Sequence, residues 1–460
     1  MDERGHPLCK IERIESYLML NLQYKHYLLG LLTVVAASNY LDRTVLSLLL
    51  EPIKQDLALN DSQLGLLTGL AFALFYAVAG IPIARWADRG NRNTVVSVTT
   101  ALWSVMLALC GLVSNFTQLL LVRVGVAVGE AGCVPPAQSL IADYFDRAER
   151  PRAMAIYWMS YAISVIVGYL GGGWLVENFG WRITFMVIGL PGILLAILVK
   201  LTLHEPRLKQ KATIEVEQFS LKEVLNTLWQ QHSFRHIVTA FCVGYFFGMG
   251  IILWMPTYFV RSHGMGASEL GFWLAFSWGV CALFGGYLGG ILATRYAACK
   301  EALQMRAVAV VFILFGLIFA MIYLSTNKYI ALIFLAINGF LLAMCNGAIF
   351  SAIQSLVNDR MRSVAFALLF LMANLIGLGL GPLAVGVLSD LLMPMFGQES
   401  LRYALLLFTP GYLWLAFHYW KAGNTIEDDI KRVEAGEGLV EEEAAILDAD
   451  ISAVRNESVL

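Results

Sequence analysis

The chain has 460 residues, 58% hydrophobic and 14% charged, with mean hydropathy +0.67 and a formal net charge of −2. So apolar a composition excludes a soluble core with a wettable surface, and basic residues that border apolar runs instead of sharing one face exclude a nucleic-acid surface. The expectation is an all-α membrane protein whose main solvent is lipid.

Residues 1–25 are charged and too polar for the apolar core of a signal sequence, so they read as a cytoplasmic N-terminus ahead of a retained first helix. A hydrocarbon core about 30 Å thick takes roughly 20 apolar residues per helix. Runs of that length lie near 26–50, 63–85, 94–113, 118–141, 152–176 and 182–203, an N-terminal six-helix half over 26–203. The linker 204–235 holds Ser220-Leu-Lys-Glu223, a capping-box pattern, and then Leu221, Val224, Leu225, Leu228 and Trp229 at helical spacing. It predicts an amphipathic helix on the cytoplasmic membrane face. Runs near 236–260, 269–293, 303–325, 329–356, 363–392 and 402–421 make a second six-helix half over 236–421. Residues 422–460 form an acidic cytoplasmic tail, with eleven carboxylates against Lys431, Arg432 and Arg455.

On this map 25 of the 32 Lys and Arg fall on the side of the N-terminus, and only Lys54, Arg182, Arg261, Lys328 and Arg402 fall opposite. The positive-inside rule then puts both termini in the cytoplasm of a multi-pass cell-membrane protein, most simply a bacterial inner-membrane one. Seven scattered cysteines without a CxxC pair predict neither disulfides nor a metal site. With no Walker-A lysine and no HExxH, no cofactor and no enzymatic chemistry are expected.

The halves repeat at an offset of a little over 200 residues. Ala84-Arg-Trp-Ala-Asp-Arg89 matches Gly290-Ile-Leu-Ala-Thr-Arg295, and Glu149-Arg-Pro-Arg-Ala-Met-Ala155 matches Asp359-Arg-Met-Arg-Ser-Val-Ala365. Ser164, Gly168 and Tyr169 match Gly377, Gly381 and Pro382. Repeated halves are a scaffold for alternating access, with a binding site near the midplane. The glycine faces that begin at Gly168 and Gly377 read as close helix packing ahead of any direct role in coupling.

Four ionisable residues stand out inside apolar spans, Asp42 and Arg43 in the first helix and Arg123 and Glu130 in the fourth. A charge at mid-membrane costs about 2.5 to 3.5 kcal/mol even on the lenient insertion scale, so these must face protein or a watery cavity. Arg123 and Glu130 are seven residues apart, hence about 20° apart around one helix and roughly 10 Å along it. Antiparallel helices bring Asp42 and Arg43 between their levels. This cluster is expected to form a central cavity that couples to protons; a purely structural ion-pair network is the plainer reading. The second half offers only amides and aromatics at such depths, so Asn39, Tyr245, Trp254, Asn338, Asn346 and Asn374 are candidates for the wall of a substrate cavity.

The turn after the second helix reads Asp88-Arg-Gly-Asn-Arg92. Its charges can pair with neighbours and helix ends in one conformation and release them in another, so Asp88, Arg89, Arg92 and Arg295 in the second copy are candidates for a conformational latch. A stop signal of the positive-inside kind is the simpler account. This turn resembles the one that major facilitator proteins carry, although Ala84, Asn91 and Asn93 depart from that pattern. Together with Asn39-Tyr-Leu-Asp-Arg43, Asp61-Ser-Gln-Leu-Gly-Leu-Leu67, Arg123 to Glu130-Ala131, Pro135-Pro136 and Ile141-Ala-Asp-Tyr-Phe145, it is similar to the spinster family of the major facilitator superfamily.

The resemblance implies a major facilitator fold of 12 transmembrane helices in two six-helix pseudo-repeats, with cavity walls from the first, fourth, seventh and tenth. It also implies transport of amphiphiles such as sphingoid or lysophospholipid species. The expected function is secondary active, proton-coupled transport of an amphipathic solute by a monomer in the lipid bilayer. A symporter of organic anions or a multidrug exporter of the same superfamily is the first alternative, and a membrane receptor or scaffold without flux the second.

Overall fold

The computed structural model describes residues 7–206, 229–297, 300–357 and 361–434. The expected amphipathic helix at Ser220 and the acidic tail beyond Glu434 lie outside them. The described residues are helical, in α1 (Pro7–Leu57), α2 (Asp61–Arg89), α3 (Arg92–Cys110), α4 (Phe116–Tyr144), α5 (Arg150–Thr202), α6 (His232–His263), α7 (Ala267–Tyr296), α8 (Glu301–Leu324), α9 (Lys328–Ser355) and α10 (Val364–Val433). The nine stretches from α2 to α10 are long and apolar enough to cross a membrane. Two of them are double. In α5 the chain turns at Gly180 (φ +73°) and in α10 at Gly397 (φ +57°), a left-handed conformation that a residue without Cβ adopts freely. With each side of these glycines taken separately, and with α1, the stretches agree with the expected twelve.

The turn glycines of α5 and α10 stand a little over 200 residues apart, the same spacing as the sequence repeat. So do two π-helical turns, Leu66–Leu70 in α2 and Ala275–Val280 in α7. Each inserts one extra residue into a membrane helix at a corresponding place in the two halves.

The chain divides into two compact units, Met1–Ile214 with Trp254–Gly279, and Glu215–Leu253 with Val280–Leu460. The first unit therefore takes in the end of α6 and the start of α7, and three sets of contacts show why. Glu177 accepts from the Ser268 backbone N–H at 2.6 Å, which satisfies an otherwise orphan donor in the first turn of α7. Gly173 and Gly271 let α5 and α7 approach until a Cβ on either would strike the other's backbone. The third is ionic. Arg261 reaches Asp61 through two N–O contacts of 2.8 Å and Glu51 at 2.7 Å, while Lys54 holds the same Asp61 at 2.7 Å.

In the first unit α1 also packs along α5, where a Cβ at Gly172 would lie 2.7 Å from the Val45 side chain. In the second, a ladder of Phe312, Phe315, Phe319 and Tyr412 joins α8 to α10. Asp429, near the end of α10, accepts from the Ser233 backbone N–H at 2.7 Å and so caps the start of α6. The glycines at 168 and 377 thus act as packing surfaces, Gly377 lying against Tyr245. Large apolar side chains such as Leu201, Tyr287 and Leu391 face outward, as a lipid solvent permits.

Candidate functional site

The four intramembrane charges meet in the first unit as two ion pairs. Asp42 and Arg43 are neighbours on α1 and so point about 100° apart, which lets each find a different partner along one face of α4. Arg123 donates from Nη1 to Asp42 Oδ2 at 2.7 Å. Arg43 donates to Glu130 Oε2 from Nε at 2.9 Å and from Nη2 at 2.6 Å. Asp42, Arg123 and Glu130 are each no more than 1% exposed, whereas the Arg43 side chain is 26% exposed.

The pairs are coupled electrostatically, for Asp42 repels the charge on Glu130 and each guanidinium also attracts the other's carboxylate. One oxygen of each acid, Asp42 Oδ1 and Glu130 Oε1, is buried and accepts no hydrogen bond, nor does Arg123 Nε donate one. Two neighbouring carboxylates with unused lone pairs form an arrangement that one proton relieves. Aromatic rings enclose the cations. The Arg43 guanidinium carbon lies 4.6 Å from the Phe72 ring centre, 5.2 Å from Tyr76 and 6.0 Å from Tyr40, and that of Arg123 lies 5.4 Å from Phe72.

Of the latch candidates the structure brings only Arg92 into an ionic cluster. Arg92 is buried and pairs with Glu205 at the end of α5 and with Asp143 at the end of α4 (2.6 Å), and donates to Ser139 at 2.8 Å. Glu205 in turn accepts the Arg92 backbone N–H at 2.8 Å, capping α3. Asp88, Arg89 and Arg295 are exposed and make no ion pair among the described residues, the Arg295 guanidinium lying 5.7 Å from the Tyr296 ring. Glu205 was legible in His204-Glu-Pro206 as a lone acid at a helix end, but not its partner.

The cavity candidates are dispersed. Asn39 and Asn338 are buried, each with an amide N–H group that finds no acceptor. Asn374 spends its amide on the Phe370 carbonyl of its own helix at 2.8 Å. Asn346 is exposed, Tyr245 half-buried against Phe241, and Trp254 buried in the first unit while the others on the second half lie in the second. Phe72, Tyr76 and the Arg261 cluster were not singled out from sequence, since aromatic residues and loop charges are common in membrane helices and their borders.

A family model, Major Facilitator Superfamily, matches residues 32–382. An MFS-type efflux pump of Mycolicibacterium smegmatis is 32% identical over 402 residues, covering 87% of this chain and 93% of that protein. A probable galactarate/D-glucarate transporter of Bacillus subtilis is 27% identical over 296 residues, 58% of this chain and 64% of its own length. Among solved structures, a bacterial homolog to the human lysosomal transporter spinster, inward-facing and unoccupied, superposes with TM-score 0.78 at 30% identity, covering 88% of this chain and 98% of that one. The chain therefore belongs to the Major Facilitator Superfamily, in its spinster-like branch, and is a membrane transporter and not an enzyme.

Proposed function

We propose that this transporter is a proton-coupled exchanger that moves an amphipathic, lipid-like organic solute by alternating access, with both termini in the cytoplasm. The observation that carries the reading is the buried pair of carboxylates, Asp42 and Glu130, each with one oxygen unused beside two guanidiniums. Desolvation favours the neutral acids and the arginines favour the carboxylates, so solvent access or an arriving head group changes how tightly a proton is held. Proton and cargo then need only prefer opposite states of one cluster for exchange to follow. Arg92 with Glu205 and Asp143 is assigned the latch, since buried ion pairs of this kind constrain three helix ends at once.

The relative named as an efflux pump supports export as the direction, and the likeness to the spinster homolog supports the spinster-type reading. The galactarate/glucarate relative favours a second reading, symport of a small organic anion. Purified protein in liposomes with an imposed pH gradient decides between them. The expected result is gradient-dependent flux of lysophosphatidylcholine and none of glucarate; the reverse selects the symporter, and flux of neither probe opposes the exchanger reading. In whole cells, single cysteines placed at Gln55 and Asn327 are expected to react with an impermeant thiol reagent from outside and one at Asn91 is not. Labelling at Asn91 inverts the topology.

A further inference from the structure

Phe72 occupies a place that no ordinary core phenylalanine has. It is 2% exposed on α2, two residues past the π-helical turn Leu66–Leu70, and its ring centre lies within 5.4 Å of both guanidinium carbons. It also stacks on Tyr76, centre to centre 5.9 Å at 24°, and Tyr76 itself faces Arg43. Two cations and two anions in one buried cluster have more than one way to pair. Arg43 is within electrostatic range of Asp42 as well as Glu130, and Arg123 of Glu130 as well as Asp42. Charge alone therefore does not select the observed partners.

We propose that Phe72 is the positioning residue that selects them: its π-face attracts both guanidiniums and holds Arg43 on Glu130 and Arg123 on Asp42. This rests on the proton-coupled reading of the cluster and deepens it. A cation over an aromatic face is attracted most where water is excluded, which holds for Arg123 and in part for Arg43. The ring keeps the two like charges apart without offering a hydrogen bond of its own, so it competes with neither carboxylate. Proton uptake by one acid then frees a known guanidinium and not an arbitrary one. The extra residue of the π-turn sets the rotation of α2 ahead of Ala71, and so bears on where the ring stands.

The other titratable groups facing this cluster are few. From α3 the Cys110 thiol approaches Arg123, and from α4 the Cys133 thiol approaches Glu130. Tyr161 of α5 faces Arg43. Phe72 is the ring that lies within 5.4 Å of both guanidinium carbons.

The test uses the purified full-length protein and follows the infrared carbonyl band of protonated carboxylic acids against pH, which needs no cargo. Wild type is expected to show a protonation step that Glu130→Gln lacks. A wild type without that step overturns the proton-coupled reading and the role of Phe72 with it. Given the step, Phe72→Leu is expected to displace its midpoint by about one pH unit, a tenfold change in proton affinity. Phe72→Trp, which keeps a π-face, is expected to hold the midpoint close to wild type. Phe72→pentafluorophenylalanine keeps the shape but reverses the ring's charge distribution, and serves where Phe72→Leu does not fold; it is expected to behave as Phe72→Leu. A midpoint unmoved by Phe72→Leu or by the fluorinated ring limits Phe72 to packing and sinks the proposal, while leaving the proton-coupled reading intact.

Discussion

Glu130→Gln is expected to fold, to stay in the membrane and to lose the response of transport to a pH gradient. Glutamine keeps the size of the side chain and an oxygen that accepts from Arg43, whose Nε and Nη2 now both reach Glu130 Oε2. What disappears is the charge and the titration. The hydrogen bonds to a charged acceptor become bonds to a neutral one, a loss on the order of 1 to 2 kcal/mol, which a protein of this burial tolerates. Coupling is another matter, because a linkage between proton and cargo exists only if some group binds a proton differently in the two states. With a neutral amide in place of Glu130, the cluster keeps one acid against two arginines and loses the group assigned to bind the proton. The ratio of flux with and without an imposed pH gradient in liposomes is expected to fall to about one. A variant that keeps the wild-type ratio makes Glu130 a structural acid.

The largest loss of stability is expected from Arg261→Ala. Asp61 is completely buried and takes two contacts from Arg261 and one from Lys54, while the same guanidinium also satisfies Glu51. Removing the arginine leaves Glu51 and the fully buried Asp61 without their guanidinium, with Lys54 still on Asp61. Breaking a buried pair on one side costs about 3 to 5 kcal/mol, most of it the penalty of leaving a charge buried and uncompensated and not the loss of attraction. Because Arg261 ties the end of α6 to α1 and α2, the melting temperature of the purified protein should drop by several degrees. Arg261→Lys, with its charge but without the planar fork, should recover only part of that. Adding Asp61→Asn to Arg261→Ala should recover a good share, since a neutral amide needs no counter-ion. Equal melting of the single and double variants would show that bulk and not charge is what Arg261 supplies.

Some of these features were open to reading in the one-dimensional chain. Helix existence, the repeat and the isolation of Asp42, Arg43, Arg123 and Glu130 all follow from local quantities. Twenty apolar residues in a row can do little else than span a bilayer, and a charge among them must find company. The seven-residue spacing on α4 even put Arg123 and Glu130 on one face. The breaks between the runs ending near 176 and 392 and those beginning near 182 and 402 were legible too, but not that Gly180 and Gly397 make the turns.

Partnership was decided by the tertiary structure. Hydropathy carries depth but not the rotation of a helix about its own axis, and a change of one residue in register turns a side chain by about 100°. Hence Arg92 finds Glu205 and Asp143 while its neighbours Asp88 and Arg89 stay at the surface, a division the motif itself does not contain. For the same reason Asn374 closes on its own helix, and Trp254–Gly279 packs with the first unit although it belongs to the second set of helices. The sequence by itself determined that four charges had to be buried together in a lipid-solvated bundle, because the cost of a lone charge is a property of the segment. Which acid meets which arginine, and that Phe72 lies beside both cations, was left to the crossing of α1, α2 and α4, because an ion pair depends on distances that only packed helices define.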